Sequence, residues 1–205
     1  MSKVLIVGGG AAGMFASIFA AKNGNEVHVF EKNEKLGKKL FITGKGRCNV
    51  TNACDVDELF QNMVSNEKFM YSSFYGFTNQ DVMDFFENAG LRLKTERGNR
   101  VFPQSDHASD VIRVLTEELR RKKVRVCLNT KVQEILSDGT KVTGLRWDCH
   151  DTHQKNQVSE YDAVVVACGG MSYPTTGSDG SGFTLCQKLG HTVTELRPSL
   201  IGMTT

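Results

Sequence analysis

KVLIVGGGAAGMFASIFAAKNGNEVHVFE, residues 3–31, is the stretch from which the fold of this chain can be read. Residues 3–7 form a short apolar run rich in branched side chains, as expected of a strand buried on both faces. Glycines then interrupt it, and residues 11–23 read as a helix of Ala, Met, Phe and Ile ended by Gly24. Residues 26–31 return as a second strand. Strand, glycine turn, helix and strand within one short segment make a βαβ unit, right-handed by the general rule. At its turn stands Gly8-x-Gly10-x-x-Gly13. Gly8 permits the tight turn, Gly10 lets a pyrophosphate approach the backbone, and Gly13 lets the helix pack on the strand. Ala11 and Ala12 open the helix, whose N-terminal N–H groups and dipole favour phosphate. Seventeen residues separate Gly13 from Glu31, which brings that carboxylate to the ribose hydroxyls of an adenosine. The segment is therefore expected to hold the ADP half of FAD or a similar cofactor. Glu31 would repel a 2′-phosphate, so NADP is disfavoured there.

Composition sets outer limits. The chain has 205 residues, 40% hydrophobic and 23% charged, an ordinary globular balance. A formal net charge of +2 gives no global electrostatic case for nucleic acid or an anionic membrane. The densest basic run, Arg120 to Lys123, closes an expected helix and complements its dipole. The six cysteines show no CxxC pair and no metal-ligand spacing, and the histidines suggest no metal site. These features point to a reducing compartment, with cytoplasm as the default. The apolar start is broken by three glycines and soon followed by Lys22, which argues against a targeting or membrane segment.

Outward from the βαβ unit, residues 32–54 lose all periodicity, and a loop of that length with apolar islands suggests a functional one. Helical signals follow at 55–63, 66–75 and 79–88, the last with Thr78 as N-cap. Short strands are expected at 91–96 and 100–102, then a helix over 108–122 on an apolar stripe. Strands follow at 124–128, 131–136 and 141–147, and residues 149–160 read as a polar surface connection. DAVVVA, residues 162–167, reads as another buried parallel strand beside the first, and a helix follows near 181–189.

Two further segments carry chemistry. Thr43-Gly44-Lys45-Gly46-Arg47-Cys48-Asn49-Val50-Thr51-Asn52 offers backbone, cationic and amide donors to an anionic ligand, although it lacks Walker A spacing. From residue chemistry alone, a solvated basic loop is an equal reading. Cys48 invites a nucleophile or redox role, against which stands the absence of a resolving cysteine or a histidine base nearby. His28 reads as structural, because on a strand it points away from Glu31. Ala167-Cys168-Gly169-Gly170 and the Ser/Thr/Gly-rich residues after it would let a cofactor lie over the end of the last parallel strand. A simple loop is the bland alternative.

GGGAAG…E, TGKGRCNVTN and ACGGMSYPTTGSDGSGF…LGH together resemble the FAD-binding oxidoreductases related to aminoacetone oxidase. The bile-acid 4,6-reductase-like flavoproteins, often labelled NAD(FAD)-utilizing dehydrogenase, are similar members of that family. Arg100-Val101-Phe102-Pro103 and Pro198-Ser199-Leu200 fit its pattern, so the likeness covers essentially the whole chain. The resemblance implies an α/β fold, a Rossmann-like, glutathione-reductase-type FAD domain with a parallel sheet and a three-stranded β-meander at residues 124–147. It implies FAD as cofactor, places Glu31 at the adenosine ribose and counts Lys32 among the cofactor-binding residues. Gly37, Lys38 and Lys39, with Gly44, Lys45, Gly46, Arg47, Cys48 and Asn49, would line the pyrophosphate and flavin. Val132 would meet adenine through its backbone, and Ala167, Gly169 and Gly170 would lie beside the ribityl chain. Members of the family continue into an inserted substrate domain and return to complete the FAD domain. Residues 1–190 are accordingly expected to be the N-terminal part of the FAD domain, and 191–205 the start of the insertion.

The expected function is a flavin-dependent oxidation or reduction of an amine or an enone-like small molecule, with NAD(P)H or dioxygen as redox partner. No residue stands out as catalytic acid or base. Alternatives are an NAD-only dehydrogenase, a flavoprotein acting on tRNA, which near-neutral charge disfavours, and an inactive FAD-binding remnant or interaction module.

Overall fold

In the computed structural model, which describes residues 1–197, strand β1 (Lys3–Val7) is buried because it divides two cores. Val4 and Ile6 face one of them, with Met14, Ile18, Val111 and Leu115. Leu5 and Val7 face the other, with Val132, Ile135 and Leu145. Successive side chains of a strand point to opposite faces, so one apolar run serves both. Helix α1 (Ala11–Lys22) covers the first face, and β2 (Glu26–Phe30) returns parallel to β1, Ile6 opposite Val29.

The next segment is more ordered than its sequence suggests. It contains α2 (Lys38–Ile42), a 3₁₀ turn at Thr43–Gly46 and β3 (Thr51–Asn52). These pieces are too short to show a period, and tertiary contacts hold them: the Val50 N–H, for example, donates to the Val101 carbonyl at 2.8 Å. Helices α3 (Val56–Gln61), α4 (Tyr71–Gly76) and α5 (Asn79–Asn88) follow. Thr78 caps α5 in a reciprocal capping box with Asp81, as its position predicts. Strands β4 (Leu93–Glu96) and β5 (Arg100–Pro103) join β3 in a small antiparallel sheet, order β3-β5-β4. Helix α6 (Ala108–Arg121) then packs beside α1, with Arg120 and Arg121 in its last turn.

Strand β6 (Arg125–Cys127) enters the parallel sheet, His28 opposite Arg125. The meander is β7 (Thr130–Ser137), β8 (Val142–Cys149) and β9 (Gln154–Glu160). The expected meander at 124–147 is thus corrected: its first segment pairs with β2, and the supposed connection at 149–160 supplies the third strand. QKNQVSE hides its strand character because β9 is an outer strand with no residue in the buried class. Strand β10 (Ala163–Val166) lies parallel to β1, giving the order β10-β1-β2-β6. It is an edge strand among the described residues, with Val165 39% exposed, rather than buried on both faces. Helix α7 (Ser181–Lys188) packs Leu185 into the meander-side core. Residues 198–200 of the resemblance, and most of the expected insertion start, lie outside the described residues.

Candidate functional site

The carboxyl ends of β1, β2 and β10 meet β7 and the start of α1 around a cleft of about 500 Å³. Val7, Phe30, Val132, Val166 and Leu185 form its apolar wall. Ligands of open α/β sheets bind at this end of the strands.

The glycines shape the cleft in three different ways. A Cβ on Gly8, at φ +106°, would lie 2.5 Å from the Ala167 carbonyl oxygen, so β10 approaches only a glycine here. A Cβ on Gly13 would lie 1.9 Å from the Gly8 oxygen, so the first turn of α1 packs onto the loop it leaves. A Cβ on Gly10 would meet no protein atom. Packing therefore does not require glycine at position 10, whereas a ligand close to the backbone would.

Glu31 is buried at the end of β2. Its Oε2 accepts from the Gly9 N–H at 2.6 Å, and its Oε1 accepts from the Asn33 N–H and Nδ2 at 2.8 and 2.7 Å. Two carboxylate oxygens offer about four acceptor sites, so one remains for a hydroxyl in the cleft. Asn33 also donates to the Thr176 carbonyl at 3.2 Å. Lys32 pairs with Asp179 at 2.7 Å. Burial alone would raise the Asp179 carboxyl, but hydrogen bonds from Lys32 and Ser181 hold it well below the usual carboxylate range. Lys39 donates to the Ser172 carbonyl at 2.7 Å and to the Ser178 hydroxyl at 2.6 Å, and burial lowers its pKa. Burial pushes the Cys168 thiol, on the cleft wall, up to about 11.

Of the residues singled out in the sequence, Gly8, Gly10, Ala11, Ala12, Glu31, Lys32, Lys38, Lys39, Val132, Ala167 and Gly169 line this one cleft. Gly13 and Gly37 shape it from behind, Gly37 against Ile112. Gly170 lies beyond the lining. Gly44, Lys45, Gly46, Arg47, Cys48 and Asn49 are not among the lining residues and form a knot that starts beside Thr43, which does line the cleft. There Gly44, Lys45, Gly46 and Cys48 all have positive φ. Arg47 donates to Asp106 at 2.7 Å, pairs with Glu96, and lies 4.1 Å over the Phe102 ring. Cys48 is buried and its thiol is raised by that burial, the opposite of what a reactive thiolate needs. Sequence reading missed Asn33 and Thr130, whereas Ser178 and Asp179 stood within the Ser/Thr/Gly-rich segment it named without being given a role of their own. The signal for Asn33 was its place two residues after Glu31; Thr130 depends on a chain crossing that no local pattern encodes.

The chain matches the HI0933-like protein Rossmann domain over residues 2–202. It belongs to that family. Family members are FAD-dependent oxidoreductases, and FAD is the cofactor this chain shares with them. The 3-dehydro-bile acid delta(4,6)-reductase of Clostridium scindens is 36% identical over 98% of this chain and 47% of its own length. The ribosomal RNA dihydrouridine synthase of Escherichia coli is 28% identical over the same shares, 98% and 47%. The chain thus spans about half the length of the curated relatives it matches. Among solved structures, a 3-ketosteroid-delta4-(5alpha)-dehydrogenase from Rhodococcus jostii RHA1 superposes with a TM-score of 0.70. That likeness covers 92% of this chain and 54% of the other at 17% identity, which establishes the fold.

The cleft fits the nucleotide part of FAD on its own chemistry. It offers open backbone at Gly10, an uncapped helix start, a spare carboxylate acceptor at Glu31, and apolar surface at Val132. Among the described residues, no helix is long and apolar enough to cross a membrane, and no cluster suits a metal ion.

Proposed function

We propose that the protein carrying this chain is an FAD-dependent reductase of a carbon–carbon double bond conjugated to a carbonyl, acting on an enone-like small molecule. The observation that carries this reading is a chemistry common to two relatives. A 3-dehydro-bile acid with double bonds at positions 4 and 6 is a conjugated ketone, and a uracil ring becomes dihydrouridine by saturation next to a carbonyl. Both gain hydrogen across an electron-poor carbon–carbon bond, which favours the enone reading over amine oxidation. When bound and reduced, FAD supplies the hydride for such an addition, and a proton completes the product.

The residues of this chain hold the nucleotide end. Glu31 accepts from a ribose hydroxyl. The α1 N-terminus and Gly10 receive the pyrophosphate, where aligned N–H groups favour negative charge. Lys39, already stripped of part of its water, stands on the same wall. The apolar faces of Val132 and Leu185 exclude water from beneath. NAD(P)H is the reductant this reading requires, whereas amine oxidation would use dioxygen.

The test is spectroscopic. The FAD-loaded protein is reduced with dithionite without oxygen and mixed separately with a conjugated ketosteroid and a uridine-containing RNA. The oxidised form is mixed with a primary amine. Return of the oxidised flavin bands with the ketosteroid alone is expected. Return with RNA alone would move the substrate to nucleic acid, as the dihydrouridine synthase likeness favours. Bleaching by the amine would establish oxidation instead, and silence in every arm with flavin bound would leave a binding module.

A further inference from the structure

Residues 170–180, between β10 and α7, form a loop closed at its base, where the Gly180 N–H donates to the Gly170 carbonyl at 3.2 Å. Compact surface loops with joined ends are frequently functional. Among the described residues, no backbone-to-backbone hydrogen bond joins 171–179 to any other segment. No side chain of the loop belongs to either apolar core. Its internal backbone bonds, Thr176 to Tyr173 and Gly177 to Pro174, shape only its tip. Gly169 at φ +72° and Gly180 at φ +83° stand at its two ends, where a backbone without Cβ can turn.

Polar side chains from across the cleft fasten this loop. Lys39 donates to the Ser172 carbonyl at 2.7 Å, the Ser172 hydroxyl at 3.1 Å and the Ser178 hydroxyl at 2.6 Å. Asn33 donates to the Thr176 carbonyl at 3.2 Å, and Lys32 pairs with Asp179 at 2.7 Å. All three donor residues line the cofactor cleft. They follow β2, the loop follows β10, and β1 lies between those two strands. Every tie therefore spans the carboxyl end of β1, where the Gly8–Gly10 turn begins. The three protons of the Lys39 ammonium are all spent on neutral oxygens of the loop, whereas a diphosphate would offer it charged ones.

We infer that residues 170–180 are a latched strap over the cofactor cleft, which lifts to let FAD in or out. Its ties to Lys32, Asn33 and Lys39 set the rate of that exchange. Fastening by polar ties, without apolar packing, makes opening a local event that leaves both cores intact. The inference rests on the FAD assignment and not on the enone reading.

The test is kinetic. The apoprotein is mixed with excess FAD in a stopped-flow instrument and the change in flavin fluorescence followed; release is followed after dilution of the loaded protein. With a strap, the association rate rises with FAD and then levels off at the rate of opening. Asp179→Asn keeps an oxygen for the Ser181 N–H but removes the charge paired with Lys32. It is expected to raise the plateau about fivefold, the upper range for a partly exposed ion pair. Ser178→Ala takes one acceptor from Lys39 and is expected to raise it about tenfold. Release should quicken by similar factors, so that affinity changes little. Faster release without faster association would mean a lost contact or a loosened fold, and overturns the strap. So does an association rate that stays proportional to FAD, or a plateau that is the same in parent and variants. Absence of flavin binding in every form overturns it together with the cofactor assignment. Gated binding of FAD without reaction toward any ketone leaves the strap standing and removes only the enone reading.

Discussion

Glycines in one fingerprint do different jobs, and substitution separates them. Gly10 has φ −80°, a conformation open to any residue, and its missing Cβ faces no protein atom. Gly10→Ala should leave the thermal midpoint unchanged and weaken FAD. Gly13→Ala drives a methyl onto the Gly8 carbonyl at 1.9 Å, an overpacking that costs about 1–3 kcal/mol. Its midpoint should fall by several degrees, at about 2–4 °C per kcal/mol for a chain of this size. Thermal unfolding with flavin titration decides the matter. An unaltered FAD affinity in Gly10→Ala would mean that the pyrophosphate does not approach that backbone.

At the scale of elements, α2 is too short to be stable alone, and its value is what Lys39 reaches from it. Bonds from Lys39 to Ser172 and Ser178 tie α2 to the loop after β10, across the cofactor cleft. Asn33 to Thr176 and Lys32 to Asp179 tie the same loop to the end of β2. Lys39→Met keeps most of the stem and removes the donors. Hydrogen exchange at residues 172–178 should quicken about tenfold, consistent with about 1–2 kcal/mol for a partly exposed charged donor. Unchanged exchange would show that the ties from Asn33 and Lys32 suffice. Part of this scale was legible in advance: the periodic helices and their caps stood out, while α2 and β3, which depend on partners, did not.

Across the whole molecule, the parallel sheet and the meander are joined at a polar contact inside an apolar seam. His28 Nδ1 and the Tyr161 hydroxyl are 2.7 Å apart, one on β2 and the other between β9 and β10. Burial lowers the His28 pKa; Glu26 opposes this, while Lys3 and Arg125 add to it. Native His28 therefore stays neutral at pH values where the unfolded chain, near 6.5, already binds a proton. In that window the unfolded state holds more protons, so stability falls as pH drops below 6.5 toward the lowered value. Tyr161, pushed up to about 12 mainly by burial, acts at the other end. Its contribution is present below the ordinary tyrosine value of 10.0 and is lost as pH rises through about 12. Urea midpoints against pH should show the acid-side fall in the parent and a shallower one in His28→Gln. Parallel curves would assign the fall to carboxylates alone.

The sequence by itself determined the βαβ unit, its cofactor class and the family, because those rest on local patterns. Period, glycine spacing and a carboxylate at a fixed distance are encoded within residues 3–31, and the family in short contiguous motifs further along the chain. Helix α5 and its N-cap Thr78 were legible for the same reason, while the reciprocal bond from Asp81 came from the structure. Only the tertiary structure decided that β6 joins β2 and that the polar segment 154–160 becomes a strand. An outer strand buries little, so its sequence carries no alternation to read. The same holds for the site. Glu31 was visible from spacing, but the ion pairs of Arg47 with Glu96 and Asp106 arise where distant segments cross. Hydrogen bonds between residues more than a hundred positions apart, such as Lys39 to Ser178, leave no periodic trace in the chain, because the fold and not the local backbone brings them together.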